Sequence, residues 1–235
     1  MTSLRGLSVL VCGASGGLGA PISRRLAAEG AELTLHGRDV GRLQALGTGA
    51  ALVLGDLREP ETAERAVASA VAAWGRLDGL VVASGVVAFG PVGDLPDEAL
   101  TDLFLVNTLA PIRLLRAALP HLTSSARDGR SPFVVHLSAV VAEHPTAGMA
   151  AYSASKAALT AYDAAASREL RRVGIRLIDS RPPHTETGLA ERPLAGTAPR
   201  LPAGLGPDAV AGRVVAAVLE DERDLPSTAF HRAVG

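Results

Sequence analysis

The feature that most limits what this chain can fold into is a turn. A short aliphatic run, residues 8–12, passes directly into Gly13-Ala14-Ser15-Gly16-Gly17-Leu18-Gly19 and then into a stretch of helical period. Glycines between a strand and a helix leave backbone that no Cβ shields, so an anion approaches the main chain closely. The free N–H groups and the dipole of the following helix favour the charge of a phosphate or pyrophosphate there. Turns also need glycine for steric reasons alone, so the cluster by itself is not a binding site.

The same strand-to-helix alternation continues along the chain. Strand candidates are 8–12, 31–36, 50–54, 80–83, 133–138 and 176–180; helix candidates are 18–29, 40–46, 60–74, 96–121, 149–173 and 208–219. The strand runs are almost continuously apolar, as parallel strands covered on both faces are. Right-handed crossovers of this length predict a single-domain α/β Rossmann fold over residues 1–235. Its doubly wound, mostly parallel sheet has six strands, with room for a seventh near 225–230. The one long irregular stretch, 182–207, is rich in Pro, Gly, Thr and Ala and reads as a substrate-binding loop or lid.

Composition removes several function classes. Lys+Arg 23 against Asp+Glu 24 leaves a net charge of -1, so no broad positive field is available for nucleic acid or an anionic membrane. Residues 1–11 carry one arginine and an apolar run too short for a signal sequence or a membrane span. Cys12, the single cysteine, makes no internal disulfide and no thiolate metal site. The six histidines show no pair at ligand spacing, so no metal is expected. The expectation is a cytoplasmic protein.

A second motif follows the fifth strand candidate: Tyr152-Ser153-Ala154-Ser155-Lys156. One helical turn apart, the Tyr and Lys side chains share a face. A free phenol titrates near pH ~10, and a neighbouring ammonium stabilises the phenolate, which makes Tyr152 a usable proton donor or acceptor. An amphipathic tyrosine beside a surface lysine is the competing account of the spacing alone.

Together these segments resemble the short-chain dehydrogenases/reductases. The family pattern Thr-Gly-x-x-x-Gly-x-Gly is matched by Cys12, Gly13, Gly17 and Gly19, with cysteine replacing threonine, and the likeness runs from about Leu7 to about Ala216. The resemblance implies a nicotinamide dinucleotide whose phosphates lie on Gly13, Ser15, Gly16, Gly17, Leu18 and Gly19. Asp56 and Leu57 match the pair that holds the adenine. Val82, Ala83, Ser84 and Gly85 stand where the family carries Asn-Asn-Ala-Gly beside the adenosine, and only Gly85 is kept. Arg181-Pro182-Pro183-His184-Thr185-Glu186-Thr187 resembles the Pro-Gly…Thr segment, with Pro183 replacing glycine. It places Pro182, Thr185 and Thr187 by the nicotinamide, Thr187 at the carboxamide. The resemblance also makes Tyr152 the acid/base, Lys156 a partner of the nicotinamide ribose, and Asn107 the asparagine whose local helix distortion links Lys156 to solvent through water.

The catalytic serine of the family is expected at the end of the fifth strand, and Ser138 is the candidate. The usual spacing falls on Ala139, one residue further. Because a strand alternates faces, the offset turns the Ser138 hydroxyl away from the site unless the loop 143–148 absorbs a residue. At the end of the second strand, Gly37 occupies the place of the carboxylate that binds NAD ribose, and Arg38 follows, so NADP(H) is favoured over NAD(H). Asp39 lies about twenty residues beyond Gly19, at the offset of a ribose-binding acid, and Gly16 carries no base; both argue for NAD(H). The reading is an oxidoreductase passing hydride between NADP(H) and a small carbonyl or alcohol substrate. Its alternative is a dinucleotide-binding scaffold of weak turnover. A nucleotide-sugar epimerase would carry a longer C-terminal region. The Ala-rich helix 157–172, through which family members commonly pair, points to a homodimer or homotetramer.

Overall fold

The computed structural model describes residues 1–233. β1 (Ser8–Cys12), α1 (Gly19–Ala28), β2 (Glu32–Gly37), α2 (Val40–Gln44), β3 (Ala51–Leu54), α3 (Pro60–Trp74) and β4 (Gly79–Val82) form the first half. The second half comprises α4 (Asp97–Phe104), α5 (Ala110–Arg127), β5 (Phe133–Leu137), α6 (Ala150–Arg172), β6 (Arg176–Ser180), α7 (Pro207–Leu219) and β7 (Asp224–Leu225). Helix α3 shows how local sequence sets such boundaries. Pro60 opens it, where the missing N–H has no intrahelical partner to lose, and Gly75 at φ 73° closes it.

The seven strands make one sheet in the order β3-β2-β1-β4-β5-β6-β7, and all six pairings are parallel. Strand alternation divides the core. Val9, Val11, Leu33, Leu35, Val81, Val135 and Ile178 face α1 and α7; Leu10, Val82, Val134 and Leu177 face the side covered by α3, α5 and α6. The strand order reverses between β1 and β4, so the crevice at their C-terminal ends is where such sheets bind ligands. The Gly13 turn and the Ala83-Ser84-Gly85 segment both emerge there.

Two sequence expectations are corrected. The helix read over 96–121 is interrupted by a π-turn, Leu105–Leu109, and continues to Arg127. Its long apolar stretch is half buried inside the fold, and α5 packs on α3. The seventh strand spans only Asp224–Leu225 rather than 225–230, because Pro226 has no N–H to continue the ladder and a 3₁₀ turn, Ser227–Ala233, follows.

Candidate active site

The glycine turn is shaped by close approach. A Cβ on Gly13, whose φ is 76°, would lie 2.7 Å from the Ser84 backbone nitrogen. A Cβ on Gly19 would strike the Gly13 carbonyl, and one on Gly17 would strike Thr187 Cβ. The turn is therefore packed against the end of β4 on one side and against the substrate loop on the other. Gly13 and Ala14 donate their N–H groups to the His36 carbonyl at 3.1 and 3.0 Å, which ties the turn to β2.

An open pocket of about 330 Å³ lies on this turn, lined by Ser15, Gly16, Gly17 and Thr187 and by three arginines, Arg24, Arg42 and Arg192. Arg42 donates to the Ser15 carbonyl at 2.7 Å. These arginines come from α1, α2 and the substrate loop, and sequence reasoning passed over them because each looks like an ordinary surface base. Arg38 is exposed, and its charge acts on Asp56. The Asp39 carboxylate caps α2, accepting the Arg42 N–H at 3.0 Å. At Gly37 a Cβ would already sit 3.1 Å from Leu43 and 3.3 Å from the Ser15 hydroxyl, so no carboxylate side chain fits there without displacing them. Asp56 is held by Arg58; burial pushes its pKa up, but the Arg58 N–H and guanidinium bonds outweigh this and keep it low. Leu57 is buried in the core behind it. A dinucleotide fits this cradle. Side-chain-free backbone and arginines meet at the switch point, and the Ser84 hydroxyl is buried there without a partner.

Asn107, fully buried, sits in the π-turn. Its Oδ1 accepts from Val86 N at 3.0 Å, and its Nδ2 donates to Val86 O at 2.9 Å and to Ser155 Oγ at 3.1 Å. Thr108 adds a hydroxyl bond to the Ser155 carbonyl at 2.8 Å. The π-turn thus clamps α6 between Tyr152 and Lys156. A Cβ on Gly85 would lie 3.5 Å from Asn107 Oδ1 and 3.6 Å from Lys156 Nζ, so Gly85 is the seat shared by both.

Lys156 is 4% exposed, and its ammonium donates to the Leu137 carbonyl at 2.7 Å. Burial lowers its pKa to about 8, with the Asp179 charge opposing. It is also the only lysine in the sequence; every other long-chain base is arginine. A compact ammonium that loses its proton when desolvated is retained where a guanidinium would stay charged. Tyr152 packs with Val87, Phe89, Leu103, Ala139 and Val141, and burial pushes its phenol up to about 12.

Ser138 is placed differently from its expected role. Its hydroxyl donates to the Lys156 carbonyl at 3.1 Å and lies 3.0 Å from Thr160 Oγ1, so it faces the backbone of α6. Ala139 is the residue that packs with Tyr152. Strand alternation is the reason: one residue of offset exchanges the two faces. The structure therefore brings together Asn107, Tyr152, Lys156 and Gly85, and leaves Ser138 behind the helix.

The loop over the site is docked. Leu194 N and Phe89 N bond to Val87 O and Ala195 O at 2.8 and 2.9 Å, and Leu189, Leu194, Ala195 and Ala198 pack on the cluster around Tyr152. Pro182 accepts from Val140 N at 3.0 Å, Thr185 bridges to Leu205, and Thr187 rests on Gly17.

Comparison with known proteins places this architecture. The family model of the short chain dehydrogenases matches residues 8–196. An uncharacterized oxidoreductase of Methylorubrum extorquens is 32% identical, covering 95% of this chain and 94% of its own. The 1-deoxy-11-beta-hydroxypentalenate dehydrogenase of Streptomyces exfoliatus is 32% identical over 82% of this chain and 71% of that enzyme. A short chain dehydrogenase of Burkholderia cenocepacia, solved in complex with NADP, superposes at a TM-score of 0.82 with 29% identity, covering 96% of this chain and 97% of that one. The parallel sheet, the glycine turn at its switch point and the Tyr152–Lys156 helix belong to a member of the short-chain dehydrogenase/reductase family of oxidoreductases.

Proposed function

We propose that this chain is an NADP(H)-dependent reductase or dehydrogenase acting on a small, neutral, apolar carbonyl or alcohol compound. The observation that carries the reading is the sole lysine of the sequence, buried one helical turn from a buried tyrosine and seated with Asn107 against Gly85. The cofactor, when bound, supplies or accepts the hydride. The chain holds its phosphates on the glycine turn with Arg24, Arg42 and Arg192 nearby. Tyr152 gives or takes the proton on the substrate oxygen, and Lys156 stabilises the phenolate and restores that proton. The apolar lid, with Leu189 and Leu194 over Tyr152, favours an apolar substrate and excludes water from the phenol.

The choice of NADP(H) is supported by the crowding at Gly37, by the engagement of the Asp39 carboxylate in the cap of α2, and by Arg38 and Arg42 on the segment that follows Gly37. A thermal-shift titration with NADPH and NADH tests it, since a ligand that binds only the folded chain raises its melting temperature. NADPH is expected to give the larger shift at equal concentration. A larger shift with NADH would overturn the assignment. One observation favours a second reading, a dinucleotide-binding protein of low turnover: the hydroxyl of Ser138, the serine expected at the substrate oxygen, is turned to the backbone of α6. Binding of NADPH without turnover of any carbonyl substrate would favour it.

A further inference from the structure

The substrate loop has a tied base and a long arm. At the base, 184–187 and 204–205 bond to each other: Leu205 N donates to the His184 carbonyl at 2.9 Å, Glu186 N to the Leu205 carbonyl at 3.0 Å, and Gly204 N to Glu186 Oε1 at 2.7 Å. The arm between them, 188–203, makes two backbone hydrogen bonds to other parts of the chain among the described residues. Both fall at one place, from Leu194 N to Val87 O and from Phe89 N to Ala195 O, at 2.8 and 2.9 Å. The strip that receives the arm is itself fixed on both sides. Val86 is bonded to Asn107, and Gly90 N donates to the Gly148 carbonyl at 2.9 Å. At the contact stands Gly196, whose φ of 72° lies in the left-handed region, and a Cβ there would strike the Phe89 carbonyl. Gly188, at φ 69°, and Gly204 stand at the two ends of the arm. Behind it the loop encloses a cavity of about 250 Å³, lined by its own His184, Gly188, Ala198 and Pro202 among others, so the arm is not packed solidly on its base.

We infer that the arm 188–203 is a hinged flap with a single latch, and that Gly196 is the positioning residue that closes it over Tyr152. Leu189, Leu194, Ala195 and Ala198 of the arm pack on the cluster around Tyr152 and leave that side chain 8% exposed. A substrate reaches the phenol when the arm lifts. Lifting breaks one two-bond contact and uncovers few large apolar side chains, and segments held so lightly open locally while the domain stays folded. Closure needs glycine at 196, because any other residue there meets the cost of the left-handed conformation and the Phe89 carbonyl together. The base is bonded separately, so Thr187 keeps its place on Gly17 while the arm moves. The receiving strip hangs on Asn107, so the latch and the clamp around Lys156 share one support. Leu189 and Leu194 travel with the arm, which makes the flap itself the wall that an apolar substrate meets.

The inference rests on Tyr152 being the phenol that meets the substrate, but its test needs no turnover. In the wild-type chain, hydrogen exchange followed by NMR should show the Phe89 and Leu194 amides protected to within about twofold of each other, since one motion opens both, and less protected than the amides of β4 and β5. Protections that differ by more than about tenfold, or that equal those of β4, overturn the inference with no variant having to fold. Gly196→Ala should lower both protections about tenfold, the scale of forcing one residue into the left-handed region, and leave the Glu186 amide at the loop base within about twofold. The same substitution should speed nitration of Tyr152 by tetranitromethane about tenfold, with Tyr162, which packs in the other core, as the internal control. A folded Gly196→Ala variant that keeps both protections, or that frees both amides while Tyr152 stays as unreactive as in wild type, also overturns the inference. A wild-type chain that turns over no carbonyl compound counts against the proposed reaction, whereas exchange and nitration alone decide the flap.

Discussion

Replacing Asn107 with alanine removes the clamp that joins the π-turn, the segment after β4 and the helix of Tyr152 and Lys156. The side chain makes three hydrogen bonds, two to Val86 and one to Ser155, at 2.9 to 3.1 Å, and is itself fully buried. A buried hydrogen bond contributes about 1 kcal/mol net, and more when its loss strands a polar group away from water. Val86 is half-exposed, so water recovers part of what its N–H and C=O lose, and Ser155 keeps its bond to the Tyr152 carbonyl. The loss then comes to about 2–3 kcal/mol, which in a domain of this size lowers the melting temperature by about 5–10 °C. Differential scanning calorimetry measures it, and NADPH-dependent turnover on the folded variant should fall as well, because Gly85 and Lys156 lose their common support. A melting point within about 2 °C of wild type would refute the reasoning, since the clamp would then hold nothing that water does not replace.

Three further outcomes are expected. Arg42→Ala should weaken NADPH binding about tenfold by isothermal titration, in line with one charge-assisted contact of about 1.4 kcal/mol, and leave NADH binding nearly unchanged; equal losses for both would assign Arg42 to the shared phosphates. Ala139→Ser, which returns a hydroxyl to the face of Tyr152, should raise kcat/KM for carbonyl reduction about tenfold or more, the scale on which a donor at a developing oxyanion acts. No gain would leave the substrate oxygen elsewhere. Burial lowers the His36 pKa to about 4 from an ordinary value of 6.5. The unfolded chain therefore binds the proton first on acidification. The stability this histidine contributes is complete above pH 6.5 and is lost as the pH falls toward 4, by up to about 3 kcal/mol. His36→Gln should flatten the melting temperature between those values, and an unaltered slope would contradict the assignment.

Much of the architecture was legible because parallel strands covered on both faces are almost wholly apolar. Ser8–Cys12 and Arg176–Ser180 have the bounds the sequence predicts, and the glycine turn stands between the first strand and the first helix as expected. The π-turn was not visible as backbone, since Leu105-Val106-Asn107-Thr108 has ordinary helical composition; the resemblance alone placed a distortion at Asn107. The serine question turned on one residue of register, which a sequence holds only if the loop after β5 has a known length. The arginines at the glycine turn come from elements far apart in sequence, and no local spacing announces them. Lys156 is the opposite case: its uniqueness among the basic residues needs only a count and singles it out as strongly as the Tyr-x-x-x-Lys spacing does.

The central claim is that Tyr152 handles the proton in an NADPH-dependent carbonyl reaction. The most direct test is the rate of NADPH oxidation with a panel of apolar ketones and aldehydes for the wild-type chain and Tyr152→Phe, with NADPH binding confirmed for both. The account predicts turnover of at least one compound by the wild type and a loss of about a hundredfold or more in the phenylalanine variant, the scale of a general acid. A variant that keeps its rate would contradict it.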